Sequence, residues 1–162
     1  MSNLDNLYRE IIMEHYKNPR NKGLIENDKY NSVRIKNPSC GDDITMQTLV
    51  EDGIIKDCRQ IATGCSISVA SASVLSEIMI GKPVSQATNI AENFLNMVSN
   101  KEYDTTIDFE EAEVFNGVKQ FPARIKCASI AWVAFKDTLP KEWKFWVIRK
   151  IWTLIQIINM VL

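Results

Sequence analysis

Residues 44–61 read ITMQTLVEDGIIKDCRQI, which is two extended apolar runs on either side of Asp52-Gly53. Asp-Gly between two such runs is the signal of a two-residue β-hairpin turn, so the second run is predicted to return antiparallel to the first. Upstream, Val33 and Ile35 alternate with polar neighbours and predict one more strand. The sequence therefore predicts three antiparallel strands.

Apolar residues recur at helical spacing on both sides of this region. One amphipathic helix is predicted from Leu4 to a stop at Asn18-Pro19. Four further helices are predicted, and they begin at Ser66, Pro83, Asp108 and Phe121-Pro122. The predicted fold class is α+β, with a small antiparallel three-stranded sheet packed against several helices.

Length and composition indicate one globular domain with a substantial core, since the chain has 162 residues, of which 46% are hydrophobic and 24% charged. The net charge of −1 indicates neither a nucleic-acid partner nor a polybasic membrane patch. Asp5 and Glu10 lie among the apolar residues of the N-terminus, which therefore does not resemble a signal peptide. We expect a cytoplasmic protein.

Four cysteines in a chain without an export signal are expected to be metal ligands or reactive thiols rather than disulfides. Cys40 and Asp42 are separated by one glycine, which lets the backbone turn so that a thiolate and a carboxylate face one cation. Cys65 and Cys127 could complete a set of three sulfurs and one oxygen, which zinc accepts. Spacing alone does not establish this site, because the chain contains no C-x-x-C pair.

The positions of Cys58, His15 and Arg124 in the predicted strands and helices indicate whether each is a structural residue or belongs to the site. Cys58 falls in the middle of a strand and is interpreted as a small buried hydrophobe. His15 lies on or near the apolar stripe of the first helix and is interpreted as a structural residue. Arg124 precedes Cys127 by three residues on one helix face, where its guanidinium can favour a thiolate; the alternative is a solvated surface arginine.

Three segments resemble the cysteine motifs of the iron–sulfur assembly proteins of the NifU N-terminal (IscU-like) superfamily. They are NPSCGD at 37–42, GCSIS at 64–68 and FPARIKC at 121–127. The SufU branch is the most similar, since Lys126 stands directly before the third cysteine, where IscU proper carries a histidine. The resemblance extends from about Leu4 to Trp132 and ends after about Phe135.

This resemblance implies a zinc-containing sulfur acceptor, or zinc-dependent sulfurtransferase, that takes persulfide sulfur from a SufS-type cysteine desulfurase and serves the downstream Suf assembly machinery. Whether it acts as an enzyme or as a sulfur carrier stays open. The implied catalytic residues are Cys40, as acceptor, and Arg124. The implied metal ligands are Cys40, Asp42, Cys65 and Cys127. The alternatives are an IscU-like scaffold that holds iron or a [2Fe–2S] cluster, and a non-catalytic module with structural zinc.

Residues 137–162 do not continue the resemblance, so we divide the chain into a SufU/IscU-like domain, 1–136, and an atypical apolar C-terminal segment, 137–162. The segment holds three of the four tryptophans, and its uncharged end, residues 151–162, is too short to span a bilayer. We expect a helix that packs on the domain or on a neighbouring chain, away from Cys40 and dispensable for metal binding. Contact with a membrane surface is not favoured, and a shifted reading frame at the end of the gene would produce the same departure.

Overall fold

The computed structural model describes residues 3–161, without the side chains of Leu4 and of residues 142–150. The helices are α1 (Asn3–Lys17), α2 (Ser66–Met79), α3 (Val84–Val98), a 3-10 helix (Glu110–Gln120), α4 (Pro122–Thr138) and α5 (Glu142–Val161). The strands are β1 (Tyr30–Asn37), β2 (Asp42–Glu51) and β3 (Ile54–Thr63). The predicted fold class, an antiparallel three-stranded sheet packed against helices, is confirmed.

The strands form one antiparallel sheet in the order β1-β2-β3. Asp52 and Gly53 both have positive φ, at 53° and 72°, as a two-residue turn of this kind requires. At the end of the sheet opposite this turn, Asn37 pairs with Asp42, so residues 38–41 form a tight loop between β1 and β2. That loop carries Cys40, between two of the strands that the sequence predicts.

Helix α2 is the centre of the domain, since it contacts α1, α4, β3 and the 3-10 helix. Ser68, Ser71, Ser73 and Ser76 on this helix are all fully buried. Small side chains let neighbouring elements approach closely, and a buried hydroxyl must find a hydrogen-bond partner. For example, the Ser71 hydroxyl donates to the carbonyl of Ala128 at 2.7 Å and accepts from the Trp132 indole at 2.9 Å.

The two residues interpreted as structural are both buried. Cys58 is fully buried in the core beneath the sheet, and this burial raises the pKa of its thiol. His15 is only 2% exposed, with Nδ1 2.7 Å from Ser73 Oγ and Nε2 2.8 Å from Glu111 Oε2. The histidine therefore connects α1 to α2 and to the 3-10 helix, which confirms its packed position.

The end of the chain departs from the sequence prediction in part. Helix α4 continues to Thr138, whose hydroxyl lies 2.9 Å from that of buried Thr48, and Leu139 is buried too. A helix then forms beyond Pro140, as predicted, but every residue from Ile151 to Val161 is exposed. Residues 151–161 therefore do not pack on the domain of their own chain, and the alternative that the segment packs on a neighbouring chain stays a prediction. No helix within residues 3–161 is both long and apolar enough to cross a membrane.

Candidate metal centre

Three parts of the fold converge at one end of the sheet. Cys40 lies in the β1–β2 loop, and Asp42 is the first residue of β2. Because Asp43 pairs with Thr63, the end of β3 lies beside the start of β2, and the chain then enters α2 through Cys65 at its N-cap. Helix α4 brings buried Cys127 to the same place. The four ligands predicted from the sequence thus come from three separate regions of the chain.

Ligand atoms of Cys40, Asp42 and Cys127 all lie within 4.8 Å of one another. Two sulfurs bound to one tetrahedral zinc at about 2.3 Å each are roughly 3.8 Å apart, so this spacing suits such an ion. Cys65 Sγ is not part of that compact set. It lies 3.5 Å from Ser68 Oγ, and the Cys127 side chain is among the groups that influence its pKa, so Cys65 borders the cluster.

Asp42 is only 2% exposed, and its two carboxylate oxygens differ in surroundings. Oδ1 accepts hydrogen bonds from the Ser68 hydroxyl at 2.8 Å and from the Cys65 backbone N–H at 3.2 Å. Oδ2 is buried and has no hydrogen-bond partner among the described residues. A buried carboxylate oxygen without a partner is costly, and a bound cation removes that cost. The residues present therefore fit a metal ion.

Gly64 brings the backbone directly against this carboxylate. Its φ is +140°, a conformation that side-chain-bearing residues rarely adopt, and a Cβ at this position would lie 2.2 Å from Asp42 Oδ1. The same Cβ would lie 3.0 Å from Ser68 Oγ. Only glycine leaves room for the carboxylate in its present place.

The thiols influence one another across the site. Burial, followed by the neighbouring side chains of Cys40, Cys65 and Asp42, raises the pKa of Cys127. At Cys65 burial opposes ionisation, but hydrogen bonds from the Ser68 hydroxyl and backbone N–H lower the pKa of the thiol. Three thiols and a carboxylate in contact repel one another when ionised, so a cation among them favours the fully ionised set.

Arg124 lies beside this cluster, as its spacing from Cys127 predicts. The neighbouring Cys127 thiol, together with the charge of Cys65, raises the pKa of Arg124. The Arg124 side chain is exposed to solvent. Lys126 is exposed as well and, as a lysine, does not supply the histidine that the resemblance assigns to this position in IscU proper.

A second group of metal-capable side chains consists of His15, Glu77 and Glu111, whose ligand atoms also lie within 4.8 Å of one another. Both ring nitrogens of His15 already have partners, in Ser73 and Glu111. The two glutamate side chains are about half exposed. These contacts are explained by the packing of α1 against α2 and the 3-10 helix.

Comparison with known proteins places this geometry in a family. The model of the NifU-like N-terminal domain matches residues 7–128, which include all four predicted ligands. The chain belongs to the NifU-like N-terminal domain family. This NifU-like chain is 45% identical over 141 residues to the zinc-dependent sulfurtransferase SufU of Bacillus subtilis (strain 168), covering 87% of this chain and 95% of SufU.

Two further relatives connect the chain to cluster assembly. It is 35% identical over 142 residues to the iron–sulfur cluster assembly scaffold protein IscU of Streptococcus pyogenes serotype M1, covering 88% of each protein. Its fold resembles the crystal structure of a candidate iron–sulfur cluster assembly scaffold protein for the SUF system from Fervidobacterium islandicum AW-1. That match has a TM-score of 0.73 at 35% identity and covers 81% of this chain and 95% of the other. The predicted resemblance to SufU and IscU is confirmed.

Ser68 and Gly64 contribute to the site but were not singled out from the sequence. Ser68 stands at the third position of α2 after the N-cap residue Cys65, where a serine hydroxyl commonly bonds to neighbouring groups. That spacing is a signal for a local hydrogen bond. It gives no indication that the partner is Asp42, which lies 26 residues earlier in the chain.

Proposed function

We propose that this chain is a zinc-containing sulfur acceptor of iron–sulfur cluster assembly, which takes persulfide sulfur from a SufS-type cysteine desulfurase. The observation that carries the proposal is the buried Asp42 carboxylate, which has an oxygen within 4.8 Å of the Cys40 and Cys127 sulfurs and whose Oδ2 has no hydrogen-bond partner among the described residues. The 45% identity to a zinc-dependent sulfurtransferase supports it. The acceptor of the sulfur is assigned to the downstream Suf assembly machinery.

Zinc would be held by Cys40, Asp42, Cys65 and Cys127, and it would supply a positive charge that keeps the thiols ionised. The protein provides one oxygen ligand on a strand, one sulfur at a helix N-cap and one sulfur in a buried helix turn. The fourth ligand, Cys40, lies in a loop beside Gly41, whose φ is +67°. The loop is therefore the part of the site best able to move.

Sulfur transfer is then a thiol–disulfide exchange at Cys40. The Cys40 thiolate attacks the terminal sulfur of the cysteine persulfide on the desulfurase. A new S–S bond forms to Cys40 while the S–S bond of the donor breaks, and the donor cysteine leaves as a thiolate. The exchange requires no external oxidant or reductant.

Arg124 is suited to assist this step. Its guanidinium carries a fixed positive charge beside Cys127 and near Cys65 and Cys40. Such a charge favours thiolates and attracts an incoming persulfide, which is anionic when ionised. We assign Arg124 the role of stabilising negative charge on the transferring sulfur.

A scaffold for an iron–sulfur cluster is the second candidate, and the 35% identity to IscU of Streptococcus pyogenes favours it. Three cysteines and one aspartate could ligate a [2Fe–2S] cluster, since such clusters are held chiefly by cysteine thiolates. Lys126 stands where the resemblance assigns IscU proper a histidine, which weighs against the scaffold. We therefore favour sulfur transfer.

Metal analysis combined with a desulfurase assay tests the proposal. The purified chain should contain about one zinc ion and accelerate cysteine turnover by a SufS-type desulfurase. Cys40→Ser should abolish this acceleration, whereas Cys58→Ser, at a buried thiol outside the site, should preserve it. Bound iron–sulfur cluster without desulfurase stimulation would select the scaffold, and zinc without stimulation would select a structural role. Mass spectrometry finding the transferred sulfur on Cys65 or Cys127 would contradict the assignment of Cys40.

A further inference from the structure

One buried hydroxyl on α2 contacts two of the four proposed ligands. Ser68 is fully buried, and its Oγ lies 2.8 Å from Asp42 Oδ1 and 3.5 Å from Cys65 Sγ. We infer that Ser68 is a positioning residue of the metal centre, which fixes Asp42 so that only Oδ2 faces the cation. The inference rests on the proposed function in one respect, namely that Asp42 is a metal ligand.

Ser68 has a single hydroxyl proton, and the contacts indicate where it goes. The candidate acceptors are Asp42 Oδ1 at 2.8 Å, the Cys65 carbonyl at 3.0 Å and Cys65 Sγ at 3.5 Å. A carboxylate is charged and forms the stronger and shorter bond. The proton is therefore directed mainly to Asp42, and Cys65 Sγ is a weaker second acceptor at the longer distance.

The two hydrogen bonds on Oδ1 determine the rotation of the carboxyl group. They come from the Ser68 hydroxyl and the Cys65 N–H, which are both fixed by the first turn of α2. With Oδ1 occupied, the buried Oδ2 is the only oxygen of Asp42 available to a metal. A carboxylate held in this way offers one ligand atom, as a tetrahedral site of three sulfurs and one oxygen requires.

This arrangement divides the centre into a fixed part and a movable part. Ser68, Asp42 and Cys65 are joined by hydrogen bonds between β2 and α2, while Cys127 is buried on α4. Cys40 lies in the β1–β2 loop, where its backbone N–H bonds to the Asn37 carbonyl at 3.3 Å. Ser68 would thus keep the Asp42 carboxylate in place for a metal ion while Cys40, in the loop, accepts sulfur.

The test compares Ser68→Ala with Ser71→Ala in the full chain. Both serines are fully buried on α2, but Ser71 bonds to Ala128 and Trp132 and not to the site. Loss of a hydrogen bond to a ligand typically weakens metal binding by about 10–100-fold. We expect a zinc dissociation constant, measured by chelator competition, that rises in this range for Ser68→Ala and stays near the wild-type value for Ser71→Ala.

A double-mutant cycle separates positioning from a general loss of stability. If Ser68 acts through Asp42, then Ser68→Ala should cause no further loss of zinc affinity in an Asp42→Ala background. Cobalt substituted for zinc provides a spectroscopic check, because its visible absorption bands report the ligand geometry. They should shift in Ser68→Ala and remain unchanged in Ser71→Ala.

The outcomes distinguish this inference from the proposed function. A wild-type chain that binds no zinc would refute the metal site itself. Zinc binding in the wild type with equal effects of Ser68→Ala and Ser71→Ala would overturn the role of Ser68. The same holds if Ser68→Ala weakens binding equally with and without the Asp42 carboxylate. Melting of the zinc-free variants by circular dichroism verifies that each one is folded.

Discussion

Replacing Gly64 by alanine is expected to damage the metal centre more than the fold. The new Cβ would lie 2.2 Å from Asp42 Oδ1, and contacts of a Cβ below 3.0 Å essentially do not occur. The carboxylate would therefore have to move by about 0.8 Å. A zinc–oxygen bond is about 2.0–2.2 Å long, so a shift of this size removes or badly distorts the oxygen ligand.

Two effects of this substitution have to be separated. A residue other than glycine at φ +140° is strained, at a cost of about 1–3 kcal/mol in the free energy of unfolding. Gly81→Ala is the matched control, since Gly81 has φ +88° and no atom within 4 Å of an added Cβ. Both variants should lose stability, but only Gly64→Ala should also lose about 10–100-fold in zinc affinity.

Urea unfolding of the zinc-free proteins measures the strain, and chelator competition measures the zinc affinity. Gly64→Ala and Gly81→Ala should lose a similar amount of unfolding free energy, but only Gly64→Ala should have a raised zinc dissociation constant. Wild-type zinc affinity in Gly64→Ala would refute the argument, since it would mean that the Asp42 carboxylate can move without consequence for the metal. Loss of zinc affinity in Gly81→Ala would show that backbone strain alone explains the effect.

Three further outcomes are expected. Arg124→Ala should slow sulfur transfer from the desulfurase and leave the zinc content unchanged, with partial recovery in Arg124→Lys; unchanged rates would return Arg124 to a solvated surface residue. Truncation after Lys141 removes α5 but retains buried Leu139. The zinc content and the melting temperature of the truncated protein should therefore equal those of the full chain. Loss of zinc from a truncated protein that still folds would place α5 in the site. Removal of zinc by a chelator should lower the free energy of unfolding. Compared with protein at a free zinc concentration 100 times the dissociation constant, the expected loss is about 2.7 kcal/mol. A denaturation midpoint that does not depend on zinc would contradict binding to the folded state.

Local patterns were sufficient to predict most of the fold. Asp52-Gly53 between two apolar runs specified both the hairpin and its turn, because few dipeptides adopt two consecutive positive φ angles. The mid-strand position of Cys58 was sufficient to predict its burial. The site was harder, since Cys40, Cys65 and Cys127 lack the paired spacing of common zinc motifs, and their grouping followed from the resemblance rather than from the spacing.

The remaining features depend on tertiary contacts that one sequence does not contain. The Ser68 hydroxyl could have bonded within its own helix turn, and only the approach of β2 makes Asp42 its partner. His15 finds Ser73 and Glu111 at distances of 58 and 96 residues along the chain. The exposure of residues 151–161 was not predicted, because an apolar helical pattern indicates that a partner surface is needed without indicating that the domain supplies one.

The four cysteines lie at different depths in the protein. The rates at which their thiols are modified can therefore report on local and on global unfolding. Cys40 and Cys65 are half-buried at the rim of the centre, Cys127 lies at its base, and Cys58 is enclosed in the core beneath the sheet. In metal-free protein, a thiol reagent applied in short pulses should modify the rim first, the base when the site opens, and Cys58 only when the whole domain unfolds. The order of mass increments would then rank the opening free energies of one molecule without any introduced label.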